Sequence, residues 1–243
     1  MRNVRCFSIK GPHPSGNVGI QIHHISPIKP GDIIWTVNAQ DVVTMGNLFL
    51  KGEYDPSKVI TIGGPGIKNP KYIRSRTGGS VRSLLGNELT GDPNRIISGD
   101  VLTGREVKKN GFLGFYDSSL SVIFDSIRRE FLGMLHPGNK KTRYSLSSSF
   151  MKFGNASFNF NTSQNGSQRA MVPINAWENV LPMDIYPNAL FRAILSNDIE
   201  EMEQLGIWEC DDEDFALCSF ACPSKIDVGA VIRKGLDLME AEE

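Results

Sequence analysis

The chain has 243 residues, 40% of them hydrophobic, with 26 basic and 27 acidic side chains and a formal net charge of −1. That length is enough for one large domain or two to three small ones with a real core. The balanced charge excludes a domain-wide basic surface, and with it wholesale binding of nucleic acid.

Residues 1–54 read as strand-rich. The alternation of Val4, Cys6 and Ser8 with Arg5, Phe7 and Ile9 predicts a short extended segment. It stops at Gly11-Pro12-His13-Pro14-Ser15-Gly16, where two prolines and two glycines enforce a rigid loop. Ile20, Ile22 and His24 alternate with Gln21, His23 and Ile25, which predicts a strand before Pro27. Ile33-Ile34-Trp35-Thr36-Val37 has the pattern of a short buried strand. From about Asp41 to Leu50, Val42, Val43, Met45, Leu48 and Phe49 fall at near-helical spacing.

A second unit, 55–107, opens with the β-branched strand Lys58–Ile62 and the turn Gly63-Gly64-Pro65-Gly66. Lys71–Arg76 is its expected partner strand. Ser80 fits as N-cap of a short helix, Val81–Leu85, that Gly86 ends. Arg95–Gly99 and Gly104–Val107 complete what reads as a small β-grasp unit. Residues 108–168 form strand and helix followed by an extended connector. Leu113, Phe115, Leu120, Val122, Ile123, Phe124, Ile127, Phe131 and Leu132 are the expected core of its first part, and His136-Pro137-Gly138 ends the run. The Ser- and Asn-rich stretch beyond carries Phe150, Phe153, Phe158 and Phe160, which predicts a docked rather than a disordered connector. Its three N-x-Ser/Thr matches, at Asn155, Asn161 and Asn165, are expected by chance. The last part, 169–243, is helical: a helix from Pro187, then Asp198–Leu205 stopped by Gly206, then Asp212–Ala221 and Ile226–Glu240.

Little of this carries chemistry by motif. His13 in its rigid loop is either a proton donor or acceptor in a ligand site or a cap for a backbone group. His23 and His24, on opposite faces of a strand, cannot share a metal ion. Gly63–Gly66 lacks the Lys-Ser/Thr of a phosphate loop, and Pro65 removes a donor; Gly78-Gly79-Ser80 reads as a turn with an N-cap. No G-x-G-x-x-G or G-x-S-x-G motif is present in a strand-to-helix setting. An acidic run from Asp198 through Glu200, Glu201, Glu203, Glu209, Asp211, Asp212, Glu213 and Asp214 contrasts with a basic stretch of Lys140, Lys141, Arg143 and Lys152. It is either a solvated face, a pair of electrostatic docking surfaces, or a tie between connector and helices.

The four cysteines, Cys6, Cys210, Cys218 and Cys222, are too few and too lopsided for a secreted disulfide framework. Apolar runs such as Val59–Ile62 fall far short of the roughly 18–20 residues that span a bilayer. Met1–Arg5 lacks a signal-peptide core, so a soluble chain in a reducing compartment is expected. Cys218-Ser219-Phe220-Ala221-Cys222-Pro223 is the C-x₃-C-P tail of the bacterial ferredoxin run. The two preceding ligand positions hold Asp212 and Phe215, and Cys210 is out of register, so this run cannot bind a standard four-iron cluster. The cysteines are either buried structural residues or the remains of a cluster domain that lost its cluster.

Several segments together resemble one family. Gly11–Gly16, Ile34-Trp35-Thr36-Val37-Asn38-Ala39-Gln40-Asp41-Val42 and His136-Pro137-Gly138 are similar to the NqrA family, one of the subunits of the Na⁺-translocating NADH:quinone reductase. The most specific match is Gly166-Ser167-Gln168-Arg169-Ala170-Met171-Val172-Pro173-Ile174, continued in Leu181-Pro182-Met183-Asp184-Ile185 and again in Asp212–Cys218 with Cys222-Pro223. The resemblance implies an α+β fold and the C-terminal half of a longer NqrA protein. Residues 1–54 would be the C-terminal part of a Rossmann-like domain, 55–107 an SLBB (ubiquitin-like β-grasp) domain, 108–168 a connector, and 169–243 a degenerate iron–sulfur domain. Related folds are expected in the cluster-bearing protein of the Rnf electron-transport complex and in the NADH-binding flavoprotein of respiratory complex I. The implied role is that of a peripheral protein on the cytoplasmic face of the bacterial inner membrane, supporting ubiquinone reduction coupled to Na⁺ export. Its partners would be the other subunits, above all the membrane ones, with ubiquinone as possible substrate. NADH, flavins and Na⁺ would be handled elsewhere in the complex. The alternatives are an Rnf-type electron-transport protein or a purely structural docking scaffold. No catalytic or metal-binding residue is nominated, and the quinone contacts are not placed.

Overall fold

The computed structural model describes residues 4–91, 93–126 and 158–242. In chain order its elements are α1 (Val18–Ile25), α2 (Ala39–Lys51), β1 (Ser57–Gly63), β2 (Lys71–Arg76), α3 (Val81–Leu85), β3 (Asn94–Ser98), β4 (Arg105–Glu106), β5 (Ser119–Phe124), α4 (Pro187–Ser196), α5 (Ile199–Gln204), α6 (Ala216–Ala221) and α7 (Val228–Glu242). They fall into two compact units, Met1–Trp35 with Gly166–Glu243, and Thr36–Asn165.

The unit Thr36–Asn165 is built on a mixed five-stranded sheet in the order β2-β1-β5-β3-β4. β1 pairs antiparallel with β2 from Ser57↔Arg76 to Ile62↔Lys71 and parallel with β5 from Thr61↔Ser119 to Gly63↔Ser121. β5 pairs antiparallel with β3, which pairs antiparallel with the short β4. Along β1 the burial alternates: Ile60 and Ile62 are wholly buried and Val59 is exposed, so one face of this strand is covered. Val81, Leu84 and Leu85 of α3 cover it, packed with Ile96, Leu120, Val122, Ile67 and Leu113. Each such aliphatic side chain contributes roughly 1.5–3 kcal/mol on burial. Gly64, at φ +110, is required where the chain leaves β1: a Cβ there would collide with the Val122 carbonyl, and Gly66 N donates to that same oxygen at 3.0 Å.

The expected β1 and β2, the helix Val81–Leu85 and the strands near 95–99 and 105–106 are all present. Ser80 occupies the N-cap position but makes no side-chain cap; the Val81 N–H instead donates to the Gly111 carbonyl at 3.0 Å. That long-range bond satisfies the first free donor of the helix. Residues 158–162 lie at the end of β5. Thr162 Oγ1 donates to Asp125 Oδ1 at 2.7 Å and accepts from Ser126 N at 2.9 Å, and the Phe158 and Phe160 rings stack at 5.2 Å. The expectations for Ile127, Phe131, Leu132, His136–Gly138, Phe150, Phe153, Asn155 and the basic stretch 140–152 lie outside the described residues.

The unit Met1–Trp35 with Gly166–Glu243 is helical. Pro187 sits in the first turn of α4, and Gly206, at φ +83, follows the end of α5 as the sequence predicts. Asp212–Phe215 is a 3-10 turn that runs into α6. Trp177, Leu190, Ile194, Met202, Ile207, Phe215, Cys218 and Ile232 form the buried core. Among the described residues, no helix is long and apolar enough to cross a membrane.

Three strand expectations in 4–37 are corrected. Val4–Ile9 and Ile33–Val37 join no ladder, and Val4, Phe7, Ile33 and Trp35 stand exposed. Alternation marks a strand only where a neighbouring strand takes up its hydrogen bonds. Val18–Ile25 is a helix, with Ile20 its one buried residue. Over six residues, apolar positions at 20, 22 and 25 fit both periods; the packing of α1 on the C-terminal residues decides between them.

Candidate functional site

The most elaborate polar arrangement lies where α1 and its preceding loop meet the C-terminal helices. The Gly11–Gly16 loop is stiff as expected: Ser15 N and Ser15 Oγ both donate to the Pro12 carbonyl, at 3.0 and 2.7 Å, and Asn17 N donates to Pro14 O at 2.8 Å. Gln21 Nε2 closes the loop from α1 by donating to Gly16 O at 3.2 Å. Ile9, Lys10, Gly11, His13, Ser15, Gly16 and Gln21 line an open depression of about 480 Å³. His13 thus faces a surface concavity.

His23 and His24 stand on one helix rather than on two faces of a strand, their rings edge-to-face with centroids 5.2 Å apart. His23 Nε2 accepts from the Asp184 N–H at 3.0 Å, which leaves the ring proton on Nδ1 to donate to Glu209 Oε2 at 2.7 Å. His24 Nε2 lies 2.9 Å from the Pro182 carbonyl. Two adjacent histidines therefore fasten α1 to residues 182–184 and 209. No spacing rule in the sequence pairs position 23 with position 209.

Deeper in the same contact, Asn17 Nδ2 donates to Glu213 O at 3.3 Å. Asp214 is buried against α1, with Oδ2 lacking a hydrogen-bond partner. Gly19 makes room for it, because a Cβ there would overlap the carboxylate. Burial, reinforced by Glu213 and Asp212, pushes the Asp214 carboxyl up to about 6, while its nearness to Asn17 and the Ile20 N–H opposes the shift. In the sequence Asp214 is one more member of an acidic run.

That run is dispersed by the fold into separate tasks. Asp198 caps α5 by accepting from Glu201 N at 3.0 Å. Arg233 of α7 clamps Asp211, at 2.7 Å, and Asp212 together. Burial and its neighbour Asp212 raise the Asp211 carboxyl, whereas hydrogen bonding from Asp211 and Arg233 lowers that of Asp212. These acids are largely fixed inside their own unit.

The cysteine run does not form a cluster site. Asp212, at one expected ligand position, is engaged by Arg233, and Phe215, at the other, is wholly buried core. Cys218 Sγ lies 3.8 Å from the Trp177 carbonyl and Cys210 Sγ 3.5 Å from the Gly206 carbonyl. Burial raises both thiols, Cys218 to about 12 with help from Glu178 and Cys222, so both are protonated at neutral pH. With Phe215 offering no ligand atom and Asp212 held by Arg233, the four positions of the ferredoxin run do not supply the four thiolates of a cluster. Among the described residues, no group of three or more His, Cys, Asp or Glu is placed to hold a metal ion.

Comparison with known proteins gives these elements a family. Residues 1–54 match the NqrA second alpha/beta domain, and residues 59–109 match the SLBB-type NQRA C-terminal domain. The NqrA protein of the Na(+)-translocating NADH-quinone reductase from Pasteurella multocida is 42% identical over 242 residues, 99% of this chain. Along almost its whole length the chain is similar to NqrA proteins. The NqrA proteins of Hahella chejuensis and Haemophilus influenzae (strain KW20) are each 40% identical, over 96% and 100% of the chain. The chain spans about half the length of these NqrA proteins, 54%, 52% and 54% respectively. The first domain match takes in the Gly11–Gly16 loop, α1 and α2. The second takes in most of β1, then β2, α3, β3 and β4, and ends before β5.

Proposed function

We propose that this chain serves as a peripheral subunit of a Na⁺-translocating NADH:ubiquinone reductase, supporting the reduction of ubiquinone to ubiquinol coupled to Na⁺ export. The observation that carries the reading is 40–42% identity to NqrA over almost the whole chain, together with the two domain matches. In this reading NADH, flavins and Na⁺ are handled by other subunits, and the chain sits on the cytoplasmic face of the bacterial inner membrane against membrane subunits.

Two structural features support a supporting rather than an electron-carrying role. Cys210, Cys218 and Cys222 are buried in the core, and the other two positions of the ferredoxin run hold an ion-paired Asp212 and a core Phe215. The helical domain is accordingly read as an iron–sulfur fold that keeps its shape without a cluster. Residues 1–54 are read as the C-terminal part of a Rossmann-like domain. α2 has no buried residue, and Phe49 and Leu50 are each 86% exposed, as expected of a helix whose layer is completed by further structure.

The test is titration of the purified chain, beside a full-length NqrA, with a ubiquinone analogue, together with iron and flavin assays. Saturable quinone binding by the full-length protein, with neither iron nor flavin in stoichiometric amount, is the expected result. Stoichiometric flavin or iron–sulfur on this chain would overturn the cofactor-free reading. Absence of quinone binding by both proteins would count against a direct role in quinone reduction.

A further inference from the structure

The segment Lys108-Lys109-Asn110-Gly111-Phe112-Leu113-Gly114-Phe115-Tyr116 presents aromatic rings to solvent on a loop that the fold holds firmly. Phe112, Phe115 and Tyr116 are 66%, 64% and 77% exposed, while Leu113 between them is buried in the core of the sheet. Gly111 O accepts from Val81 N and Leu113 N donates to Gly79 O, both at 3.0 Å, which ties the loop to the start of α3. Gly114 N donates to Ser98 Oγ at 2.8 Å, and that hydroxyl donates in turn to Asp117. Beneath the aromatic pair, the buried Lys58 reaches up from β1 and donates through Nζ to the carbonyls of Phe115 and Tyr116, at 3.4 and 3.0 Å. Phe115 and Tyr116 lie edge-to-face with centroids 5.0 Å apart.

A flexible loop could fold its aromatic rings onto the protein; this one is tied from both sides with the rings outward. The exposed apolar surface is thus ready for a partner, with little ordering left to do. Chemistry then selects the partner. Lys108 and Lys109 are exposed, and no acidic residue occurs between Val107 and Tyr116. The Asp117 that follows is occupied by Ser98. Phenylalanines beside an amphipathic tyrosine and two lysines match a lipid headgroup region, where the rings enter the acyl boundary and the ammonium groups meet anionic phosphates.

We propose that residues 108–116 form a docking loop for an anionic lipid surface. The experiment is co-sedimentation of the full chain with phosphatidylcholine vesicles, with and without phosphatidylglycerol, at low and high salt. Binding that requires phosphatidylglycerol and weakens with salt is expected. Phe115→Ser/Tyr116→Ser and, separately, Lys108→Glu/Lys109→Glu should each weaken it by about tenfold or more. Tyr72→Ser, which removes an equally exposed tyrosine from β2, should leave it unchanged. All these positions are exposed, and circular dichroism of each variant verifies the fold. Absence of vesicle binding, binding indifferent to phosphatidylglycerol, or variants that bind like the parent would each overturn the proposal. A loop that captures another protein of the complex but no vesicle would overturn it as well. No reductase is present in the assay, so its failure leaves the reading as a reductase subunit standing.

Discussion

His23 acts as a neutral ring with one donor and one acceptor, both used inside the protein. Replacing it by alanine strips Glu209 and the Asp184 N–H of their partners in a half-buried setting. A loss of about 1–3 kcal/mol is expected, read as a lower urea midpoint for the helical unit; an unchanged midpoint would show that water substitutes freely. Asp214 gives a prediction with a sign. Its folded carboxyl titrates near 6 against an ordinary 3.8, so between these values the folded state holds a proton that the unfolded chain has released. Its contribution is most favourable in acid and is lost as pH rises through about 6. Asp214→Asn should therefore gain stability relative to the parent, on the order of 2 kcal/mol, as pH rises from about 4 to about 7. Parallel urea titrations across that range decide it, and a difference that does not change with pH would refute the assignment.

At the scale of elements, the sequence is most legible where a period is long and its partner is near. The apolar spacing of 41–50 becomes α2, and Lys58–Ile62 with Lys71–Arg76 becomes the β1–β2 hairpin. It is least legible in 18–25, where six residues fit two periods and the deciding contacts, from His23 and Asn17, lie more than 180 residues away. α2 offers a related lesson. Gln40 Nε2 donates to the Val59 carbonyl at 3.1 Å and its Oε1 accepts from the Val59 N–H at 2.7 Å, so one side-chain amide takes the place of a neighbouring strand. Gln40→Ala should cost about 0.5–1.5 kcal/mol in the sheet-bearing unit, with faster amide exchange at Val59 as the diagnostic sign. The apolar residues of α2, by contrast, are exposed. Phe49→Ser/Leu50→Ser should change stability by less than about 0.5 kcal/mol while raising solubility, checked by denaturation and by light scattering.

For the whole molecule, the distribution of charge shows how far a linear reading extends. A run of nine acids between Asp198 and Asp214 suggests a surface for a partner; in the fold it supplies a helix cap, a clamp on Arg233, a bond to His23 and a buried carboxyl. Arg233→Ala leaves two adjacent aspartates without their cation and should lower the thermal midpoint of the helical unit, by an amount that shrinks as pH falls through about 6, where Asp211 takes up a proton, and again in stronger acid as Asp212 does. Calorimetry at neutral and acid pH tests this, and an equal loss at both would refute the clamp.

Composition and cysteine count excluded a disulfide scaffold and a basic nucleic-acid surface, and the local patterns delivered the β-grasp hairpin, the C-terminal helices and the break in the ferredoxin run. Those are properties of neighbours in the chain: turn residues, short apolar periods and ligand spacing act over a few positions. Tertiary structure alone decided that 18–25 is a helix, that Asp214 is buried beneath Gly19, that Asp212 faces Arg233, and that Phe115 and Tyr116 point outward while Leu113 points in. Each of those outcomes depends on whether a group finds its partner or loses its water, and both are settled by residues distant in sequence.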